Sequence, residues 1–234
     1  MESIRTVVPN SLHRRGALAK SFQRARAATV EGDYFEFGLY RGSAFAHAIQ
    51  VARRHLPASP MRFFGFDSFQ GLPPLTGVDK TMGEFTQGQF ACALRDVRAK
   101  LDGKVDWSRV HLVEGWFEDS LTQELKDRLR PAPVAVTLID CDLYGSTRSV
   151  LAFLEDLLQE GSMLLFDDWD CFGRQDHMGE RRAFREFLEA RPWFTPEKWI
   201  RFGRRGQAFI MHVGAQREQG SAKNEVEDLS PDPL

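Results

Sequence analysis

The 234-residue sequence has little that would tie it to a membrane, to nucleic acid or to an oxidising compartment. No apolar run approaches the ~20 residues of a membrane span, and the N-terminus has no signal-peptide core. The formal net charge of −2 gives no electrostatic reason to expect nucleic acid or an anionic membrane as partner. The three cysteines are an odd number in separate contexts, which argues against a disulfide framework. These absences predict a cytoplasmic globular protein.

One main domain is expected, over residues 31–214, because this stretch suits a single sizeable core and contains no linker, repeat or low-complexity segment. Residues 1–30 are predicted to be a helical segment. Their basic side chains, Arg14 and Arg15 among them, are interpreted as a solvated helix face or an interaction arm. Because such an arm could cover a neighbouring subunit, a homodimer is one expectation. Residues 215–234 are polar and aperiodic, and are predicted to be a disordered tail.

Strand and helix signals alternate through the main domain. The predicted strands are residues 33–38, 62–67, 110–114, 134–140 and 162–167, followed by a hairpin of 197–202 and 207–213. Helices are predicted at 43–55, from about 89 to 101, and at 120–129, 146–158 and 181–190. A Gly- and Pro-rich connection spans residues 70–88. This order predicts an α/β, Rossmann-like, doubly wound and mostly parallel seven-stranded sheet with a C-terminal antiparallel hairpin.

Two of the predicted strands end abruptly in carboxylates. The run Val-Thr-Leu-Ile leads into Asp140, and Met-Leu-Leu-Phe leads into Asp167 and Asp168. In a parallel sheet the residues that follow neighbouring strands meet at one edge, where ligands bind. Acids that converge there repel one another, and an all-oxygen set without His or Cys suits a hard divalent cation, Mg²⁺ before Zn²⁺. The sequence therefore predicts a metal site, with a set of solvated carboxylates as the alternative.

A glycine turn and an acid point to a second ligand. Gly38 and Gly42 lie between the first strand and the first helix of the domain, where a ligand can approach the backbone and free N–H groups closely. Asp67, at the tip of the second strand, can accept hydrogen bonds from both hydroxyls of a ribose, or can serve only to form a turn. The turn has neither the dinucleotide fingerprint nor a P-loop lysine. A nucleoside ligand without phosphates fits best.

Five short motifs stand in order at the predicted strand ends. They are Glu36-Phe-Gly-Leu-Tyr-Arg-Gly-Ser-Ala, Phe64-Gly-Phe-Asp-Ser-Phe-Gln-Gly-Leu-Pro73, Val113-Glu-Gly-Trp-Phe-Glu-Asp-Ser, Ile139-Asp-Cys-Asp-Leu-Tyr-Gly-Ser-Thr and Phe166-Asp-Asp-Trp. Together they resemble the macrocin O-methyltransferase family, from about Gly32 to Val213. The resemblance implies the class I methyltransferase fold. It also implies an enzyme dependent on S-adenosylmethionine and Mg²⁺ that methylates a sugar hydroxyl of a small-molecule natural product.

By matching position, the resemblance implies roles for individual residues. Those that would surround the methionine end of the cofactor are Glu36, Gly38, Tyr40 and Ser43. Those that would hold the ribose are Asp67 and Ser68, and those that would flank the adenine are Gly115 and Trp116. The metal ligands would be Asp140, Asp167 and Asp168. The connection of residues 70–88 would be a lid over the substrate, in keeping with the functional use of long loops in compact domains.

The general base is not given by the resemblance. The more distant catechol-type O-methyltransferases have a lysine three places after the first metal aspartate, where this sequence has Leu143. Asp167 is the first candidate for the base and Asp142 the second, because a nearby carboxylate can take the hydroxyl proton. Asp142 has an alternative role as the cap of the helix that follows it.

The loop after Asp168 holds further candidates for the wall of a substrate pocket. Trp169 and Phe172 either contact a sugar or aryl substrate or pack against the next helix, and His177 either lines the pocket or lies on the surface. The acceptor stays open between a sugar or other vicinal diol, a catechol and another polyketide- or peptide-linked alcohol.

Two other function classes are alternatives to a methyltransferase. A phosphatase or phosphotransferase of haloacid-dehalogenase type also uses Mg²⁺ and an Asp-x-Asp motif. Its motif opens the first strand and has a Thr two places after the second Asp, whereas Asp140 is on the fourth strand and Tyr144 occupies that place. A non-catalytic cofactor-binding protein could keep the same fold, but no feature of the sequence favours it.

Overall fold

A seven-stranded sheet runs through the computed structural model, which describes residues 13–81 and 83–214. Its strands are β1 (Asp33–Phe37), β2 (Phe63–Asp67), β3 (Val110–Glu114), β4 (Val134–Ile139), β5 (Met163–Phe166), β6 (Phe194–Phe202) and β7 (Gly206–Val213). The order across the sheet is β3-β2-β1-β4-β5-β7-β6. β7 pairs antiparallel with both β5 and β6, and the other neighbouring strands are parallel. The predicted fold, with its C-terminal antiparallel hairpin, is confirmed.

Helices cover both faces of this sheet. Within the described residues they are α1 (Arg14–Ala27), α2 (Ser43–His55), α3 (Gly77–Thr81), α4 (Leu94–Leu101), α5 (Phe117–Ser120), α6 (Gln123–Leu129), α7 (Tyr144–Leu154) and α8 (Gly179–Glu189). The sequence did not predict α3, inside the long connection, or α5, directly after Trp116. The first hairpin strand also begins three residues earlier than predicted, at Phe194. None of the helices in the described part has the length and apolarity to cross a membrane.

The two faces of the sheet pack into two apolar clusters. One cluster joins α1, α2 and α4 to the sheet, and the other joins α6, α7 and α8. Every residue of β1, β2, β4 and β5 is buried, as expected of parallel strands covered on both faces. α1 lies within the segment predicted to be helical and buries Leu18 and Phe22 in the first cluster. The rest of that segment, residues 1–12, and the predicted tail lie outside the described residues.

The strand order reverses at β1, which places a crevice beyond the carboxyl ends of β1 and β4. Gly38 lets the turn after β1 lie directly against the end of β4. Its φ is +87°, and a Cβ there would stand 1.9 Å from the carbonyl oxygen of Asp140. Any other residue would push the turn away from the first of the predicted metal ligands.

Candidate active site

A cavity of about 650 Å³ opens at the carboxyl ends of β1, β2, β4 and β5. The predicted cofactor residues that line it are Glu36, Gly38, Tyr40, Ser43, Asp67, Ser68 and Trp116. The predicted metal ligands and base candidates that line it are Asp140, Asp142, Asp167 and Asp168. Gly115 is not among the lining residues, but its amide donates to the carbonyl oxygen of Asp67 at 3.0 Å and so fixes the turn that carries Trp116. Residues predicted from distant motifs therefore meet around one cavity.

The three predicted metal ligands form a tight cluster. Ile139 of β4 pairs with Phe166 of β5, so the residues that follow these strands emerge side by side. One carboxylate oxygen from each of Asp140, Asp167 and Asp168 lies within 4.8 Å of the other two. Oδ2 of Asp168 is buried and has no hydrogen-bond partner among the described residues. An all-oxygen set with an unpartnered buried oxygen fits a hard divalent cation.

A cation from the N-terminal helix also reaches this cluster. Nη1 of Arg14 donates to Oδ2 of Asp140 at 2.6 Å, and Nη2 donates to Oδ2 of Asp167. The interpretation of the basic N-terminal side chains as a solvated face is therefore wrong for Arg14. It holds for Arg15, the next residue, which is exposed.

Burial and mutual repulsion disfavour negative charge in the cluster. Burial raises the pKa of Asp140 well above its usual range, and the charge of Asp167 adds to this effect while Arg14 opposes it. Burial likewise raises the pKa of Asp167 against the opposing effect of Arg14. Burial, together with the charges of Asp168 and Asp140, raises the pKa of Asp142 to about 9. Burial and mutual repulsion thus disfavour the ionised forms of Asp140, Asp142 and Asp167, and a positive charge bound among them would stabilise those forms.

Asp142 does not cap the helix that follows it, so the alternative role considered for it is wrong. α7 begins at Tyr144, and the carboxylate at its start is that of Asp79, from α3 in the long connection. The amide of Tyr144 donates to Oδ1 of Asp79 at 2.8 Å, and the amide of Gly145 donates to Oδ2 at 2.9 Å. Asp142 instead lines the cavity, on a left-handed backbone with φ of +62°. Its carboxylate lies beside that of Asp168 at the wall of the cavity.

Asp67 ties together the turns after β1 and β2. Its Oδ2 accepts from the amides of Leu39 at 2.7 Å and Tyr40 at 2.9 Å, and its Oδ1 accepts from the amide of Phe69 at 2.7 Å. Burial raises the pKa of Asp67, although the three amides oppose that effect. A carboxylate has about four acceptor positions. One is left on Oδ1, which is room for one ribose hydroxyl rather than the two considered from the sequence.

Glu36 brings a buried carboxylate to the wall of the cavity. The hydroxyl of Tyr34 donates to its Oε2 at 2.5 Å. Among the described residues no group meets hydrogen-bond geometry at Oε1, although the amide of Phe45 lies near enough to favour the ionised form. Burial is the largest influence and raises the pKa of Glu36 to about 8. A positively charged ligand group would satisfy the unpartnered oxygen and the charge together.

We expect Glu36→Gln to flatten the pH dependence of stability. Between the ordinary pKa of 4.5 and the folded value of about 8, the unfolded chain has lost the Glu36 proton while the folded protein keeps it. Wild-type stability therefore falls as pH rises through this window, and the amide removes that contribution, an effect on the order of 4 kcal/mol. Urea unfolding at pH 5 and pH 8 measures it. Glu114→Gln, at an exposed site, is the control, and equal slopes in all three proteins would contradict the assignment.

Sequence reasoning missed three residues around the acids, namely Arg14, Asp79 and Glu180. Glu180, in the first turn of α8, is buried, and its Oε2 accepts from the amide of Asp168 at 3.1 Å. Burial and the charge of Asp168 raise the pKa of Glu180 well above its usual range. None of the three belongs to a local motif, because each reaches the site from a different part of the chain.

Of the aromatic and histidine candidates after Asp168, none lines the cavity. Trp169 packs against Phe166, Phe184 and Phe209, so the packing alternative is confirmed for it. Phe172 is also buried, and His177 lies exposed on the surface.

The outer wall of the cavity comes from the long connection instead, which continues past the predicted helix start at about residue 89 because α4 begins only at Leu94. Its lining residues there are Gly71, Leu72, Pro73, Pro74, Leu75, Thr76, Asp79, Gln89 and Phe90. The indole N–H of Trp116 donates to the carbonyl oxygen of Gly71 at 3.3 Å, which ties this wall to the turn after β3. Phe90 and Tyr40 are both more than a third exposed, and their ring centroids are 5.9 Å apart. They form an apolar rim at the opening.

The strand order, the glycine turn and the acids at the strand ends define a class I methyltransferase fold, and solved structures agree. The O-methyltransferase NovP is 22% identical with a TM-score of 0.70, over 84% of this chain and 78% of that chain. The calicheamicin methyltransferase CalS11 is 22% identical with a TM-score of 0.66, over 84% of this chain and 77% of that chain. At these identities the likeness shows the fold.

The sequence identifies the family. The model of the macrocin O-methyltransferase (TylF) family matches residues 11–200, and the chain belongs to this family. It is 32% identical over 161 residues to 8-demethyl-8-(2,3-dimethoxy-alpha-L-rhamnosyl)-tetracenomycin-C 4'-O-methyltransferase of Streptomyces olivaceus. It is 30% identical over 163 residues to demethyldecarbamoylnovobiocin O-methyltransferase of Streptomyces niveus. Each match spans 66% of this chain and 59% of the relative.

Proposed function

We propose that this protein transfers a methyl group from S-adenosylmethionine, with the help of Mg²⁺, to a sugar or vicinal-diol hydroxyl of a small-molecule natural product. The observation that carries the proposal is the meeting of the glycine turn, Asp67 and three clustered acids around one cavity. Family membership supports O-methylation as the reaction. One relative is named for methylating a rhamnosyl tetracenomycin, which supports a glycosylated acceptor.

The cofactor would lie along the turns at the ends of β1, β2 and β3. Glu36, Gly38, Tyr40 and Ser43 would hold its methionine end, and the unpartnered Oε1 of Glu36 suits the positive amino group. The ribose would contact Asp67 and Ser68. Trp116 would cover the adenine, with Gly115 shaping the turn beneath it. When bound, S-adenosylmethionine supplies a methyl group already activated by its sulfonium charge.

Asp140, Asp167 and Asp168 would hold the metal ion. When bound, Mg²⁺ supplies positive charge that favours loss of the proton from the acceptor hydroxyl. We assign Asp142 as the base that takes this proton, because it lines the cavity beside the cluster and Asp79, not Asp142, accepts from the amides at the start of α7. Burial and the neighbouring acids disfavour the ionised form that a base requires, and a cation bound in the cluster would favour it. Asp167, the other candidate, is engaged with Arg14 and belongs to the metal set.

The rim of the cavity supports an acceptor with an apolar body. Tyr40 and Phe90 present exposed rings beside the apolar segment Leu72 to Leu75 of the connection, and a planar or alkyl group attached to a sugar would cover them. A free monosaccharide has no such group and would leave the rings of Tyr40 and Phe90 exposed to water. The expected acceptor is therefore a glycoside, with the sugar toward the acids and the apolar part toward the rim.

The test is methyl transfer from isotope-labelled S-adenosylmethionine to a panel of acceptors. We expect methylation of a rhamnosylated aromatic glycoside in the presence of Mg²⁺, loss of activity with a chelator, and little transfer to free rhamnose. Transfer to a catechol alone would correct the acceptor class. Absence of S-adenosylhomocysteine binding in calorimetry would overturn the proposal, and hydrolysis of an aryl phosphate would then support the phosphatase alternative. Binding without transfer to any acceptor would support the non-catalytic alternative.

The cytoplasmic location and the homodimer expected from the sequence stay predictions.

A further inference from the structure

Arg14 joins the N-terminal helix to acids on two different strands. Its guanidinium contacts Asp140, which follows β4, and Asp167, which follows β5, through one nitrogen each. The helix is fixed behind it, since Ala17, Leu18 and Phe22 are completely buried against the core. Arg14 is therefore held in the cluster by packing as well as by charge.

Arg14 is placed to balance the negative charge of the acid cluster. Three carboxylates offer oxygens within 4.8 Å of one another, and the guanidinium is the cation that touches two of them within the described structure. Arginine is charged at every accessible pH, and its planar fork is suited to bridging carboxylates. Arg15, one residue further along the same helix, is exposed and makes no ion pair within residues 13–81 and 83–214.

A divalent ion in the same cluster would compete with this contact. It would need oxygens of the two carboxylates that Arg14 now engages, and two cations so close together repel each other. The third acid, Asp168, has an oxygen that Arg14 does not satisfy, so the guanidinium neutralises the cluster only in part. The cluster thus keeps an oxygen free for a cation of higher charge, while Arg14 balances part of its negative charge.

We propose that Arg14 is a built-in countercharge that a divalent cation displaces, so that metal binding releases the Arg14 side chain, at the start of α1, from the active site. The inference rests on the proposed metal site and adds a coupling between that site and the N-terminal helix. Two consequences follow. The metal affinity of the protein is lower than its three acids alone would give, and the metal-free protein depends on Arg14 for stability.

Titration of the full chain with Mn²⁺, followed by electron paramagnetic resonance of the free ion, tests the proposal. We expect Arg14→Gln to bind Mn²⁺ at least tenfold more tightly than wild type, and Arg15→Gln to match wild type. Arg14→Gln should also melt at a lower temperature without metal, with the deficit abolished by saturating Mn²⁺. If Arg14→Gln does not fold without metal, Arg14→Lys, which keeps the charge but loses the fork, should bind more tightly than wild type by a smaller factor.

The outcomes separate this inference from the proposed function. Equal or weaker Mn²⁺ binding by both Arg14 variants, with binding by wild type intact, overturns the displacement and leaves the metal site standing. Absence of Mn²⁺ binding to every variant overturns the metal site and the displacement together. The cofactor part of the proposed function is judged separately, by S-adenosylhomocysteine binding to the same samples.

Discussion

Replacing Asp142 by Asn should lower kcat by about 10²- to 10⁴-fold, the usual contribution of a general base. The amide keeps the size of the side chain but cannot take the hydroxyl proton. It also keeps the backbone, because Asn is among the residues that best tolerate the left-handed conformation found here, with φ of +62°. The loss should therefore fall on the chemical step and not on folding or on cofactor binding.

Single-turnover methyl transfer, calorimetry with S-adenosylhomocysteine and Mn²⁺ titration together measure this prediction. Asp167→Asn is the matched comparison, since it alters the other base candidate and should weaken Mn²⁺ binding as well as the rate. Asp142→Asn should leave both affinities near wild type. A wild-type rate in Asp142→Asn would contradict the assignment and return the role of base to Asp167.

Asp67→Ala should have the largest effect on stability and should abolish cofactor binding. The substitution leaves the amides of Leu39, Tyr40 and Phe69 without their acceptor. Each unsatisfied buried amide costs about 1–3 kcal/mol, so the three together are expected to lower the free energy of unfolding by about 3–9 kcal/mol. The turn after β1 and the turn after β2 would lose their common anchor, and the surface proposed to hold the cofactor is built from both.

Urea unfolding and S-adenosylhomocysteine calorimetry check this expectation, with Asp96→Ala as the control. The side chain of Asp96 is 63% exposed, so its removal should change neither quantity. Asp67→Asn should be intermediate, because its carbonyl oxygen can still accept while its amide nitrogen meets another donor. Lost affinity with unchanged stability would show that Asp67 serves the ribose and not the turns.

The sheet and its rim were predictable from the sequence because both depend on local patterns. A strand buried on two faces must be apolar throughout. Asp140 and Asp167 are the first residues after the buried strands β4 and β5, where a polar side chain is again tolerated. Their meeting then follows from the parallel pairing of β4 with β5. Gly38 was recognised for its turn, but its close approach to Asp140 depends on the strand order and is seen only in the structure.

The residues that complete the site were not predictable in the same way. Arg14 is 126 positions from Asp140, and a basic residue at the start of a helix has no pattern that separates an active-site cation from a solvated one. The capping role considered for Asp142 failed for the same reason, namely a contact from a distant part of the chain. Asp142 satisfies the local rule for capping α7, but Asp79, 65 positions before Tyr144, takes the amides instead. Local preference was overridden by a tertiary contact.

The contact of Asp79 with α7 would couple any opening of the connection to the order of the acids beside it. Asp79 belongs to the connection that walls the cavity, and the helix it caps begins directly after the segment of Asp140 and Asp142. Lifting the connection breaks both cap bonds and frees the first turn of that helix. If the connection closes over an acceptor, as proposed for a lid, an acceptor that favours the closed form would also favour the order of this turn and of the acids before it. Discrimination among acceptors would then be exerted through closure as well as through direct contact.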